Sequence, residues 1–288
     1  MQPHPSEILQ RAALAAAQLC HPQSPFALAD YHAADGSVLQ RFAHAPSLLS
    51  DWLDAGRAHS QQPFVHYWDN STDGQLPTAA QIWTYADFFA LVDTWAHWLQ
   101  VQIQVQPGQR VGLLAANSPA WVAALAAGSY AGAVLAPLNS MNSARESLHT
   151  LAELAPSLLF CDAPRLQALL SACAQSELAQ IWQPCPIVLL EGGDKTHERI
   201  PALQAACAAA GWTLLSPPPA ANGAALPLLP TRRTPADDAL IVYTSGSAAT
   251  PKGAVFTHDA VCQALHNLEY IGAFAAMTSP AALQKMMR

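Results

Sequence analysis

Ala239-Leu240-Ile241-Val242-Tyr243-Thr244-Ser245-Gly246-Ser247-Ala248-Ala249-Thr250-Pro251-Lys252-Gly253-Ala254-Val255-Phe256 is the stretch on which the reading of this chain turns. Ala239 to Val242 is an apolar run of strand length, and Ala254-Val255-Phe256 reads as a second strand leading away. Between them lies a small, hydroxyl-rich, glycine-containing loop that ends in a lysine. Such a loop is suited to wrapping a polyphosphate. Glycine lets the backbone come close, consecutive N–H groups and hydroxyls donate to phosphate oxygens, and Lys252 brings a positive charge.

Composition narrows what surrounds this loop. The 288 residues are 51% hydrophobic and only 11% charged, enough for one large domain or two ordinary ones with extensive burial. With a net charge of −7 and no basic cluster, a nucleic-acid partner is excluded, because phosphate-backbone binding needs a basic footprint. The cysteines Cys20, Cys161, Cys173, Cys185, Cys207 and Cys262 contain no CxxC pair and no zinc-ligand spacing. They read as small apolar residues of a reducing cytoplasm. Val111 to Ala144 carries no charge, yet Asn117, Pro119, Gly128, Gly132, Pro137 and Asn139 interrupt it at helix–strand intervals. A buried α/β core therefore fits better than a transmembrane segment. Ala12 to Cys20 has the wrong flanks for a lipoprotein signal and reads as an amphipathic helix opened by Ser6.

Alternation governs the region upstream of the loop. Residues 1–60 read as an N-terminal extension, with a hairpin around Asp35-Gly36 and a helix from Ser47 to about Gly56. Phe64 to Trp68 reads as a strand, followed by an exposed turn over Asp69–Gly74. Thr84 and Asp87 then open a helix whose Phe88, Leu91, Val92, Trp95, Trp98 and Leu99 recur at helical spacing, so this stripe faces a core. Strands follow at Val111–Ala115, Ala133–Pro137, Leu158–Cys161 and Ile187–Leu190. The intervening helices include Pro119–Ala131 and one opened by the capping box Ser143-Ala144-Arg145-Glu146. This repetition predicts βαβ units and a mostly parallel sheet flanked by helices. Ile200 to Thr231, rich in alanine and proline, reads as a loop or linker toward the phosphate loop.

Several phosphate and catalytic motifs fail. A P-loop needs glycine before the lysine and Ser/Thr after it, whereas Pro251 precedes Lys252 and Gly253 follows. No GxGxxG follows a strand, and Gly128-Ser129-Tyr130-Ala131-Gly132 is not a nucleophile elbow. The combined pattern Tyr243-Thr244-Ser245-Gly246-Ser247 with Pro251-Lys252-Gly253 instead resembles the phosphate loop of AMP-forming adenylating enzymes, which include acyl-CoA synthetases. Trp83-Thr84-Tyr85, Pro107-Gly108-Gln109-Arg110-Val111, Asn117-Ser118-Pro119-Ala120-Trp121 and Tyr130 to Asn139 are similar to other segments of that family. These segments serve packing rather than chemistry. Phe42-Ala43-His44-Ala45-Pro46-Ser47-Leu48 resembles the lead-in of bacterial fatty-acid–CoA ligases.

The resemblance implies the family's two-step reaction. A carboxylate attacks the α-phosphate of ATP to give an acyl-adenylate and pyrophosphate, and the thiol of coenzyme A then displaces AMP. It implies Mg²⁺ as cofactor, a carboxylic acid (a fatty acid by the style of the N-terminal region) as substrate, and Thr244, Ser245, Gly246, Ser247, Thr250 and Lys252 as ATP phosphate ligands. No catalytic and no metal-binding residue falls within the chain. Where the family has Thr-Gly, the chain has Ala248-Ala249, which removes a hydroxyl donor and restricts the backbone. Residues 61–288 are expected to form an incomplete AMP-binding large domain, in a family roughly twice as long as this chain and divided into more than one domain. The acyl pocket, the Mg²⁺ motif and the small C-terminal domain with its catalytic lysine are expected to lie beyond it. A second polypeptide could supply them. The chain alone is expected to be inactive, as a fragment of an acyl-CoA synthetase or as a non-catalytic, weak nucleotide-binding remnant.

Overall fold

Uncharged runs such as Val111–Ala115 and Ile187–Leu190 have no polar face to offer water, so they are stable only as strands covered on both sides. The computed structural model, which describes residues 5–33, 35–68, 80–174, 177–190, 196–219, 226–244 and 252–278, shows that arrangement. Along the chain come α1 (Pro5–Leu19), the antiparallel hairpin β1 (Leu28–His32) and β2 (Val38–Phe42), then α2 (Leu49–Asp54) running into a 3₁₀ turn (Ala55–His59). The pair β3 (Pro63–Tyr67) and β4 (Gln81–Thr84) precedes α3 (Tyr85–Val101). The alternation β5 (Arg110–Leu114), α4 (Pro119–Ala131), β6 (Val134–Pro137), α5 (Ala144–Leu154), β7 (Leu158–Asp162), α6 (Ala163–Cys173), β8 (Ile187–Leu190), α7 (Thr196–Ala209), β9 (Leu214–Leu215) follows. Finally come β10 (Asp238–Thr244), β11 (Lys252–Thr257) and α8 (His258–Thr278). Two compact units result, Met1–Leu49 with His258–Arg288 and Ser50–Thr257.

In the larger unit seven strands pair in the order β11-β10-β6-β5-β7-β8-β9. All run parallel except β11, which returns antiparallel along β10. On one face Leu148, Leu151 and Leu154 of α5, Leu166 and Leu169 of α6, and Leu203 and Cys207 of α7 bury against Leu159, Cys161, Ile187 and Leu189 of the sheet. On the other face α4 packs between the strands and α3. There a Cβ added to Gly128 would come within 2.5 Å of Leu135 Cδ2, so glycine is what lets the helix settle on β6. The aromatic stripe of α3 is core, as its period predicts: Val92 and Leu99 are fully buried, and Trp95 stacks on Phe160 at 6.2 Å. The uncharged Val111–Ala144 run is this α/β interior. Among the described residues no helix is long and apolar enough to cross a membrane.

Both capping boxes are formed. Thr84 and Ser143 accept from the backbone N–H three residues on, while Asp87 and Glu146 accept in return from the cap N–H groups. These bonds hold both carboxyls below their ordinary range. Ser118 caps α4, with Pro119 opening the helix and Gly132 closing it at φ +84°.

Two elements depart from the sequence reading. Residues 196–209, partly assigned to a linker, form α7. Leu203, Ala206 and Cys207 fall at i, i+3 and i+4, and burial of that stripe outweighs Pro201, which lies early in the helix. Gln81–Thr84 is a strand before it becomes a helix cap, because Val65 and His66 pair with Trp83 and Ile82. The turn expected over Asp69–Gly74 lies outside the described residues. The proline-rich segment is irregular, as expected, and α3 holds it. Trp95 Nε1 donates to the Pro218 carbonyl (2.8 Å), while the Gln100 amide accepts from Leu229 N (2.8 Å) and donates to Leu229 O (3.0 Å).

In the smaller unit α8 packs on α1 and on β2. Gln263 brackets the Phe42 backbone at 2.9 and 3.0 Å, and Arg41 pairs with Asp259 at 3.2 Å.

Candidate functional site

The position of the candidate loop follows from strand direction. β10 runs parallel to β6, with Leu240 opposite Leu135, so Thr244 emerges at the edge where β5, β6 and β7 end in Leu114, Pro137 and Asp162. Ligands of open parallel sheets gather outside these carboxyl ends, where loops diverge to the two faces. Here β5 leads into α4 on one face, while its neighbours β6 and β7 lead into α5 and α6 on the other.

β11 brings the chain back in register, pairing Thr244 with Lys252, Tyr243 with Gly253 and Val242 with Ala254. Two of the expected phosphate ligands, Thr244 and Lys252, are thus adjacent, both exposed, with Thr244 Oγ1 donating to the Lys252 carbonyl at 3.5 Å. Ser245, Gly246, Ser247 and Thr250 lie outside the described residues, as do Ala248 and Ala249.

The Tyr243–Gly253 pair explains two residues of the motif that carry no phosphate-binding group. A Cβ at Gly253 would lie 2.8 Å from Ile241 Cγ2 and 3.3 Å from Tyr243 Cζ. The tyrosine ring therefore covers the bare glycine across the ribbon, and a larger residue at 253 would push the strands apart. Burial pushes the Tyr243 hydroxyl up from its ordinary value, so the ring serves as a neutral packing group.

A second group frames the same edge. Asp162 Oδ2 accepts from Ala116 N and from an Arg165 guanidinium nitrogen, both at 2.8 Å, while Oδ1 accepts from Arg165 N at 3.1 Å. Arg165 Nε then donates to the Ser140 carbonyl at 3.1 Å. One ion pair thereby ties together the loops after β5, β6 and β7. Sequence reasoning passed over it. The available signal was Asp162-Ala163-Pro164-Arg165, an acidic cap before a proline with an arginine three residues on.

Elsewhere the motif segments have the packing roles expected of them. Gly108 (φ +82°) turns into β5 and donates to the Gly132 carbonyl at 2.9 Å. Tyr130 donates to Asp54 at 2.6 Å, and Asp54 also accepts from Arg57 at 2.8 Å. Arg57 forms a two-point pair with Asp93 at 2.6 and 2.9 Å. The thiols of Cys161 and Cys207 are buried in the core, and burial pushes the Cys185 thiol up to about 12.

Residues 54–284 match the family model described as AMP-binding enzyme. Over 176 residues, 61% of the chain, the sequence is 30% identical to feruloyl-CoA synthases of Amycolatopsis sp. and Streptomyces sp., of which the matched stretch is 28%. Among solved structures, the chain resembles the AMP-bound A-PCP didomain of carboxylic acid reductase from Segniliparus rugosus, with a TM-score of 0.57 at 18% identity, covering 88% of this chain and 36% of that one. It resembles the N-terminal domain of FACL13 from Mycobacterium tuberculosis with a TM-score of 0.51 at 24% identity, covering 73% of this chain and 44% of that one. At these identities the structural likeness speaks to the fold alone. The matched stretches span 28% to 44% of the length of these relatives.

Proposed function

The chain belongs to the AMP-binding enzyme family, and on that premise we propose that it contributes the nucleotide-phosphate site of an enzyme that activates a carboxylic acid with ATP and passes the acyl group to coenzyme A. The observation that carries this reading is the β10–β11 ribbon, which brings Thr244 and Lys252 together at the carboxyl edge of the parallel sheet.

The chemistry sets what this chain must supply. The carboxylate oxygen attacks the α-phosphorus, the bond to the bridging oxygen breaks, and pyrophosphate leaves with the electron pair. Two anions must approach each other, so the residues around the phosphates must neutralise charge and hold the leaving group in line. In this reading Lys252 supplies the charge, Thr244, Ser245, Ser247 and Thr250 supply hydroxyl donors, and Gly246 admits the phosphates to the backbone. The Tyr243–Gly253 pair fixes the register that brings Thr244 against Lys252, and the Asp162–Arg165 pair holds the neighbouring loops still. Among the described residues no group of three or more His, Cys, Asp or Glu side chains could hold a metal. In this reading the chain's part is to hold the phosphates, and Mg²⁺ would arrive with the nucleotide.

A fatty acid is the substrate suggested by the N-terminal region, and an aromatic acid is the substrate suggested by the likeness to feruloyl-CoA synthases. Acid-dependent ATP–pyrophosphate exchange with fatty and hydroxycinnamic acids decides between them in a preparation that carries the remainder of such an enzyme. The 288 residues alone are expected to bind ATP without turnover. Exchange by this chain alone would overturn the proposed inactivity, and failure to bind ATP or pyrophosphate would overturn the assignment of the loop. A weak nucleotide-binding module is the second reading, favoured by Ala248-Ala249. If restoring Ala248→Thr/Ala249→Gly leaves ATP affinity unchanged, those alanines are not what weakens the loop.

A further inference from the structure

The alanine-rich, uncharged run after Pro201 has no part in the phosphate chemistry, yet it shapes an open cleft at the sheet's other end. Between α6 and α7, close to β8 and β9, lies a cleft of about 720 Å³. This volume is in the range that holds a small organic molecule. Its floor is aromatic. Trp182, only 4% exposed, meets Trp212 edge to face, with ring centroids 5.8 Å apart and planes at 79°. One wall is built of small side chains, Ala206, Ala209 and Ala210 of α7 and the residue after it. The polar side chains present, Gln167, Ser171 and Gln183, are all neutral, and Gln167 donates to Ser171 at 3.3 Å.

Among the described residues no Lys, Arg, His, Asp or Glu lines the cleft. A carboxylate or phosphate entering it would lose water and find no counter-charge, a strongly unfavourable exchange. A flat, uncharged ring system would lose only apolar hydration and gain contact with the half-buried Trp212 indole, which Trp182 backs from below. Burial also keeps the Cys173 thiol in the wall protonated and neutral, since its pKa is pushed up. In the sheet order, four strands separate β9 from β10, so the cleft stands apart from the phosphate loop.

We propose that the Trp182–Trp212 cleft is a binding site for a neutral, planar aromatic molecule, set apart from the phosphate-loop ribbon by four strands in the sheet order. The matched pair N-phenyl-1-naphthylamine and 1-anilinonaphthalene-8-sulfonate tests it, since the two share one skeleton and differ by an anionic group. Titrated into the 288-residue chain, with energy transfer from tryptophan as the readout, the neutral probe is expected to bind at one site at least tenfold more tightly than the sulfonate. Ala209→Trp on α7 and Ser171→Trp on α6, both exposed positions, fill the cleft from opposite walls and are each expected to abolish that site. Their thermal melts report whether they fold. A neutral probe that does not bind, that binds no better than the sulfonate, or that binds both folded variants as it binds the parent overturns the proposal. ATP affinity, measured in the same samples, is expected to be unchanged in both variants, so failure here leaves the reading of the phosphate loop untouched.

Discussion

The centre of the parallel sheet and the β10–β11 ribbon at its edge obey different rules. Leu113, Leu135, Leu159 and Phe160 in β5, β6 and β7 are fully buried, packed by helices on both faces, and no charged group interrupts them. In the ribbon Ile241 is buried and Tyr243 half-buried, whereas Val255, opposite Ile241, is 54% exposed, and Val242 and Phe256 on the other face are 39% and 40% exposed. A centre built this way tolerates little change because its contacts are mutual and dense. The ribbon is held by register, by one close Gly–Tyr pair and by burial of Ile241 in β10. That leaves its end free to present Thr244 and Lys252. Stability is concentrated in the centre, and the binding groups sit where the structure commits least to packing.

Substitutions that remove equal amounts of side chain from the two regions give the largest test. Phe160→Ala removes a fully buried ring stacked on Trp95 and is expected to cost about 3–5 kcal/mol in urea unfolding. Phe256→Ala on the exposed face of β11 is expected to cost less than about 1 kcal/mol. Equal losses would break the comparison.

Next comes the one tight point of the ribbon. Gly253→Val places new carbon within 2.8 Å of Ile241 and against the Tyr243 ring, and is expected to cost about 1–3 kcal/mol. It should also weaken ATP binding through loss of register. A stabilising result, as strand propensity alone would give, would show that the pair does not lock the ribbon. On the centre's rim, Ser118→Ala removes the cap that accepts from Trp121 N at 3.1 Å, for about 1 kcal/mol in the same measurement.

A smaller effect comes from pH. Bonds from Thr84 and Ser143 hold the folded-state pKa values of Asp87 and Glu146 below those of an ordinary, unfolded-chain carboxylate. Their contribution is fully present above those unfolded values and is lost as pH falls through the lower folded ones. Ser143→Ala should therefore shift the urea midpoint more at pH 7 than at pH 2.5, and a shift independent of pH would count against the capping box. The smallest stability change is expected for Lys252→Ala, within about 0.5 kcal/mol because the side chain is exposed. The same variant is expected to lose about tenfold or more in ATP affinity, since a charge-assisted phosphate contact is removed. Unchanged affinity would detach Lys252 from the site.

Much of the centre was legible from residues alone. Ile187–Leu190 and Pro119–Ala131 appear in the structure with the bounds their patterns predict, because an uncharged run with a proline or serine cap has few alternatives. Strand β4 was hidden, since Gln81 to Thr84 forms a strand only by pairing with β3, and a short segment advertises no partner. Helix α7 was masked by Pro201, although Leu203 and Cys207 carried a readable period. Asp162 and Arg165 looked like an ordinary cap because their targets, Ala116 and Ser140, lie 46 and 25 residues away.

By itself the sequence determined the alternation, the caps and the motif that puts hydroxyls, a glycine and a lysine between two strands. Those depend on neighbours in the chain, through hydrogen bonds three or four residues apart and on residue shape. Only the tertiary structure decided that β10 joins β6 in parallel, that β11 closes Lys252 onto Thr244, and that a glycine there must lie under a tyrosine. It also hollowed the Trp182–Trp212 cleft from small residues on two separate helices. Such features arise where segments distant in the chain meet, and pairing across that distance is chosen by the burial it achieves.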